Sequence, residues 1–178
     1  MTVEIVPELV SYGPVTCLNV TGVGEPGGAE HVSAIGALYA VAGAMGGGAG
    51  PLEGLWWVED DRPALQVPRE SWRWHLLLPL AGVPEPGVVE RAREVSRSSG
   101  AAVDRVRVAT FTEGECVELL HVGPYSEEHR SLAVMDAFMA ERGLVANGPH
   151  HEVYVTAFDH PEPRTVLRQP VRVGGATT

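Results

Sequence analysis

The chain has 178 residues, of which 44% are apolar and 20% charged, and its formal net charge is −10. That composition is ordinary for a globular protein and excludes a chain too polar to build a core. All 13 basic residues are arginine, and an acidic chain with no basic stripe is a poor partner for nucleic acid, whose phosphates supply most of the binding free energy.

In chain order, residues 15–23 are rich in β-branched side chains and read as a strand, and 24–28 as a turn. Residues 30–45 read as a helix with Ile35, Leu38, Tyr39 and Ala42 on one face. The glycine run at 46–50 and Pro51 end it. Residues 55–59 and 72–78 read as strands separated by a loop around Asp60, Asp61 and Pro63. Residues 84–98 suggest a crossover helix carrying Val88, Val89, Ala92 and Val95. Strands are then expected at 105–111 and 115–122, joined by a turn at Glu113-Gly114. Residues 127–142 form the clearest helix, with Leu132, Met135, Phe138 and Met139 on one face and Gly143 at the C-cap. Strands at 152–158 and 165–173 follow, and 174–178 is expected to be a disordered tail. Cys17 and Cys116 fall in strands and read as buried, inert thiols rather than a disulfide.

The chain also repeats itself. Glu30-His31-Val32-Ser33 returns as Glu128-His129-Arg130-Ser131, and Gly50-Pro51 returns as Gly148-Pro149, both 98 positions on. An apolar-aromatic run follows each Gly-Pro. The expected fold is therefore α+β: two β-α-β-β repeats related by a pseudo-twofold axis, at 1–83 and 103–173, joined by a crossover at 84–102 within one integrated domain. They would form one antiparallel sheet, or two facing half-sheets, with helices on the outer side and a ligand groove between the halves. No run of about 18 apolar residues exists, so no membrane span is expected. No signal peptide is visible at the N-terminus, so a cytoplasmic protein is expected.

Glu152 carries the most chemical interest. On a strand it shares a face with Tyr154, while Val153 and Val155 share the other. If helices cover the valine side, Glu152 and Tyr154 look away from them, together with Trp56 at the equivalent position. A carboxylate among aromatics is costly unless it is paired, protonated or awaiting a cation; the alternative is a solvated residue on an open sheet face. All four tryptophans lie in one stretch, at 56, 57, 72 and 74. At least two are expected in the core, and Trp56, Trp72 and Trp74 could also stack on a planar ligand. Tyr39 and Tyr125 complete the candidate set. His150 and His151 are adjacent and point to opposite strand faces, so they cannot share one metal ion. With no ligand spacing for zinc, no serine elbow and no phosphate loop, neither metal nor cofactor is expected.

The runs Cys116-Val117-Glu118-Leu119-Leu120-His121-Val122-Gly123-Pro124-Tyr125 and Gly148-Pro149-His150-His151-Glu152-Val153-Tyr154 resemble the gyrase-inhibitor-like (GyrI-like) small-molecule-binding domain. So does Arg164-Thr165-Val166-Leu167-Arg168-Gln169-Pro170-Val171. Pro51-Leu52-Glu53-Gly54-Leu55-Trp56-Trp57 and Trp72-Arg73-Trp74 look like its stand-alone subgroup. The resemblance implies a groove with a central glutamate, here Glu152, that meets hydrophobic, aromatic and often cationic compounds. It also implies, for some stand-alone members, hydrolysis of reactive cyclopropane-bearing antibiotics by a glutamate with aromatic residues. The first function to expect is thus promiscuous multidrug binding or sequestration. The alternative is a hydrolase in which Glu152 and Tyr154 are catalytic. A protein partner in the groove is a third option; nucleic acid and membrane are not expected as partners.

Overall fold

The structure, a computed structural model, describes residues 6–100 and 102–175. It is α+β: antiparallel strands β1 (Glu8–Val23), β2 (Glu53–Trp57), β3 (Arg73–Pro79), β4 (Arg107–Val122), β5 (Leu144–Ala146), β6 (His150–Tyr154) and β7 (Arg164–Val173) carry helices α1 (Ala29–Ala44), α2 (Val88–Ser96) and α3 (Glu128–Glu141). No helix among the described residues is long and apolar enough to cross a membrane. The chain divides into two compact units, one spanning Pro14–Phe111, the other combining residues up to Gly13 with those from Thr112 onward.

In the Pro14–Phe111 unit, β3 pairs with β1 on one side and β2 on the other, Val20 opposite Leu76 and Trp56 opposite Trp74. Directly opposed residues share a sheet face. Leu18, Val20, Trp74, Leu76 and Leu78 lie on one face, each buried to within a percent of complete. Helix α1 buries His31, Ala34, Leu38 and Val41, whereas Tyr39 is half exposed. Of the expected face, Leu38 and Ala42 are buried and Tyr39 is not, so the buried stripe is rotated toward His31, Ala34 and Val41. Helix α2 is shorter than the 84–98 expected; it buries Ala92 and Ser96, and Ser96 Oγ donates to the Ala40 carbonyl at 3.1 Å.

Trp74 depends on the residue opposite it. A Cβ on Gly22 would lie 2.2 Å from the indole, and the ring is fully buried with nowhere to move. Gly22→Ala is expected to destabilise the protein by about 1–3 kcal/mol through overpacking. Chemical denaturation of the variant checks this, and an unchanged midpoint would show that the ring can shift.

In the other unit, β7 pairs with β4 along one edge, while β6 and β5 share its other edge end to end. Val117, Leu119, Leu167 and Val171 form one core with Met135 and Met139 of α3, and Leu132 and Phe138 pack against it as the helical periodicity predicts. Gly143, at φ +65°, ends α3. Gly174 N–H donates to the Gly143 carbonyl at 2.8 Å, so the expected tail is tied down at its first residue; positions 176–178 lie outside the described residues.

The turn expected at Glu113-Gly114 is not one. Gly114 has φ +79°, yet β4 continues through it for 16 residues. Its first part lies along β1, with Thr16 Oγ1 2.8 Å from Thr110 Oγ1 and Asn19 Nδ2 donating to the Arg107 carbonyl at 3.1 Å. Its second part pairs with β7. Partners on both sides of the glycine hold the chain straight. Strand β1 likewise begins at Glu8, seven residues before the expected start. Cys17 and Cys116 are buried and unpaired. Burial, with a smaller push from nearby glutamates, raises their thiols to about 11 and about 12, so both stay protonated and inert.

Candidate functional site

Glu152 lies opposite Leu167, which lies opposite Leu119. Those leucines carry the core under α3, so Glu152 and Tyr154 stand on the helix-covered face, and Val153 on the other. The expectation that they look away from the helices is reversed by this register. The two side chains are joined: Tyr154 Oη donates to Glu152 Oε2 at 2.7 Å. His150, two positions earlier on the same face, places Nε2 3.5 Å from Glu152 Oε1.

The turn before α3 completes the surroundings. Gly123 at φ +132° anchors to the Pro163 carbonyl at 2.9 Å, and Tyr125–Glu127 form one 3-10 turn leading into α3. Tyr125 meets Tyr154 edge-on at 6.2 Å between ring centres, and Phe158, from the loop after β6, lies 5.2 Å from Tyr154 and 6.3 Å from Tyr125. Burial raises the Tyr125 phenol, and the charges of Glu152 and Glu128 add to that. His121 ties this turn to the helix, with Nδ1 2.9 Å from Ser131 Oγ and Nε2 3.2 Å from the Pro124 carbonyl. An open depression of about 320 Å³ flanks this contact, between β4 and α3.

Glu128, the first residue of α3, is a member of this cluster that reading the sequence missed. Its Oε1 is buried and accepts no hydrogen bond among the described residues. Burial, reinforced by the charge of Glu152, pushes its carboxyl up to about 8 from an ordinary 4.5. The helix N-terminus favours a carboxylate by only about 0.3–1 kcal/mol, while each unit of pKa is about 1.4 kcal/mol. Burial and repulsion therefore win, and Glu128 keeps its proton at neutral pH. The native state keeps a proton that the unfolded chain releases near 4.5, so this group costs stability as pH rises from there to about 8, where the loss levels off. Glu128→Gln is expected to flatten that slope. Thermal melts of both proteins across the window test it; parallel curves would sink the assignment.

The sequence signal for Glu128 was present in the repeated Glu-His-x-Ser, but its counterpart differs in circumstance. Glu30 is exposed and paired with Arg105 at 2.7 Å. The remaining candidates gather in the Pro14–Phe111 unit. Trp56 and Trp74 are buried, with His31 tilted over Trp56 at 5.4 Å and edge-on to Trp74 at 5.5 Å. Trp72 precedes β3 rather than lying within it, 6.3 Å from Trp56, and its Nε1 donates to the Val67 carbonyl at 3.1 Å. Position for position, that unit has Gly54 and Trp74 where the other has Glu152 and Thr165. Indole fills one corner; carboxylate and phenol occupy the other.

No protein-family model matches the chain, and no curated protein does. Among solved structures, an uncharacterized conserved protein from Listeria innocua superposes with a TM-score of 0.86 at 33% identity, covering 94% of this chain and 92% of that one. The chain belongs to the family of that protein. A hydrolase encoded by lin2189 from Listeria innocua is similar at 31% identity and a TM-score of 0.83 over the same shares. The C-terminal domain of EcmrR, at 11% identity and a TM-score of 0.66 over 96% of this chain and 99% of that one, shares the fold.

Proposed function

We propose that the chain is a stand-alone GyrI-like hydrolase of flat aromatic compounds bearing a strained, electrophilic ring, such as a cyclopropane conjugated to a ring carbonyl. The observation that carries this reading is the second carboxyl beside Glu152. A carboxyl that burial keeps protonated, beside a second carboxyl, puts an acid and a base at one place. Tyr125, Tyr154 and Phe158 receive the flat substrate. Water attacks the strained carbon and gives a proton to Glu152. The carbon–carbon bond breaks, its electrons pass to the carbonyl oxygen, and Glu128 protonates the resulting phenolate. Kinship with a Listeria innocua protein described as a hydrolase supports the reaction class. Incubation of the protein with a spirocyclopropyl dienone in heavy-oxygen water tests it. The expected product has gained one labelled water; an unchanged compound overturns the reading.

Binding without turnover is the second reading, favoured by the exposure of the rings. Phe158 is 50% exposed and Tyr125 38%, so a planar cation can reach them beside a carboxylate. Saturable heat on titrating a cationic dye, with no conversion of the dienone, is the outcome expected of such a module.

A further inference from the structure

Glu152 is bracketed on its own strand. Tyr154 occupies Oε2, which leaves Oε1 facing His150 Nε2 across 3.5 Å. That separation exceeds the usual 2.7–3.2 Å of an N–H···O bond. The imidazole Nε2 is buried and hydrogen-bonded to no described residue, although buried polar atoms are nearly always partnered, by water where the protein offers nothing. The gap is too long for a direct bond of ordinary strength, and groups 3.5 Å apart can both be reached by one bridging oxygen at about 2.8 Å from each.

We propose that His150 Nε2 and Glu152 Oε1 together hold the nucleophilic water, which makes His150 a catalytic residue of the hydrolysis proposed above, on which this inference rests. Glu152 accepts one hydrogen of the water and the imidazole bonds it at Nε2, leaving a lone pair free for the substrate. As the oxygen–carbon bond forms, the hydrogen on Glu152 transfers as a proton while His150 keeps its own hydrogen bond. The ring carbon–carbon electrons leave onto the carbonyl oxygen, and the proton of Glu128 meets them there, so charge and atoms balance. The adjacent His151 has a different task, because it faces the opposite side of β6 and pairs with Glu113 at 2.5 Å.

The test compares His150→Phe, which keeps the ring's bulk without a hydrogen-bonding atom, with His150→Gln, which restores one. With the spirocyclopropyl dienone as probe, His150→Phe is expected to lower kcat about 100-fold with KM nearly unchanged, as misplacement of a reactant does. His150→Gln should recover most of the loss. Sodium azide, which needs no base, should rescue His150→Phe by forming an azide adduct. Wild-type kcat in His150→Phe, with Glu152→Gln inactive, overturns the water-holding role alone. A wild-type protein that incorporates no label overturns the hydrolase reading, and this inference with it. Should His150→Phe fail to fold, His150→Ser against His150→Gln carries the same comparison.

Discussion

Glu152→Gln should reduce hydrolysis of the dienone probe by about 10²–10⁴-fold, the range that loss of a general base produces. The substitution keeps shape and can still accept from Tyr154, so the aromatic corner should persist. Affinity then separates charge from shape. A flat cation loses the carboxylate and should bind about 1–2 kcal/mol more weakly, while its neutral analogue should be nearly unaffected. A third consequence concerns Glu128. Its carboxyl is raised first by burial and second by the charge of Glu152, so the variant should lower its titration partway toward the ordinary value without restoring it. Calorimetric titration, kcat and melting curves against pH read these three effects independently. Full turnover in Glu152→Gln would remove the glutamate from the chemistry.

Arg168→Met is expected to be the most damaging single change to stability. On the face of the sheet away from α3, Arg168 Nε donates to Glu118 Oε2 at 2.8 Å and its Nη1 stands 3.5 Å from Glu113 Oε2. Its guanidinium lies over the Tyr12 ring at 3.8 Å, and Tyr12 in turn donates to Glu118. Glu113 reaches on to His151, with side chains only 6% and 1% exposed. Desolvation and the bond to Glu118 raise the Tyr12 phenol, so it remains a donor. Removing the cation leaves two carboxylates in a site built to neutralise them, a loss of about 3–5 kcal/mol for a buried pair. That corresponds to a melting point lower by on the order of 10 °C for a chain of this size. Adding Glu113→Gln and Glu118→Gln should recover much of it, since the uncompensated charges are then gone. Because His151 belongs to the strand that carries Glu152, kcat should fall as well. A melting point within a couple of degrees of wild type would show that the network is solvated rather than structural.

The helices and most strands were legible because their periodicities are those of packed elements. Met135 and Met139 recur on one face of α3, and β-branched residues crowd β1 between Val15 and Val23. Misreadings came where a local signal was outweighed by pairing partners distant in sequence. Gly114 carries the sign of a turn, yet partners from β1 and β7 hold β4 extended through it. Tyr39 fits a 3/4 spacing, but alanines at 34 and 37 let α1 approach the sheet on a different face. At the site, Glu152, Tyr154 and Tyr125 were recognisable as residue types on one strand face and one turn. Their placement under α3 was not, because register decides the face and register is set by Leu167 and Leu119. Glu128 looked like an ordinary first-turn glutamate, as Glu30 is. Burial first, and proximity to Glu152 second, distinguish Glu128 from the exposed Glu30.

Strands β1 and β4 each run from one unit into the other, crossing at Gly13-Pro14 and at Phe111-Thr112. The Pro14–Phe111 unit is contiguous, whereas the other joins the two ends of the chain. A cut near residue 100, where the two similar stretches of sequence meet, would deprive one fragment of the β4 residues that bond Thr16 and Asn19, and the other of Tyr12. The chain is inseparable at the very place where its sequence looks divisible. A ribosome delivers every strand of the Pro14–Phe111 unit by Phe111, while the other unit must wait for the C-terminal strands to join the residues that precede Pro14.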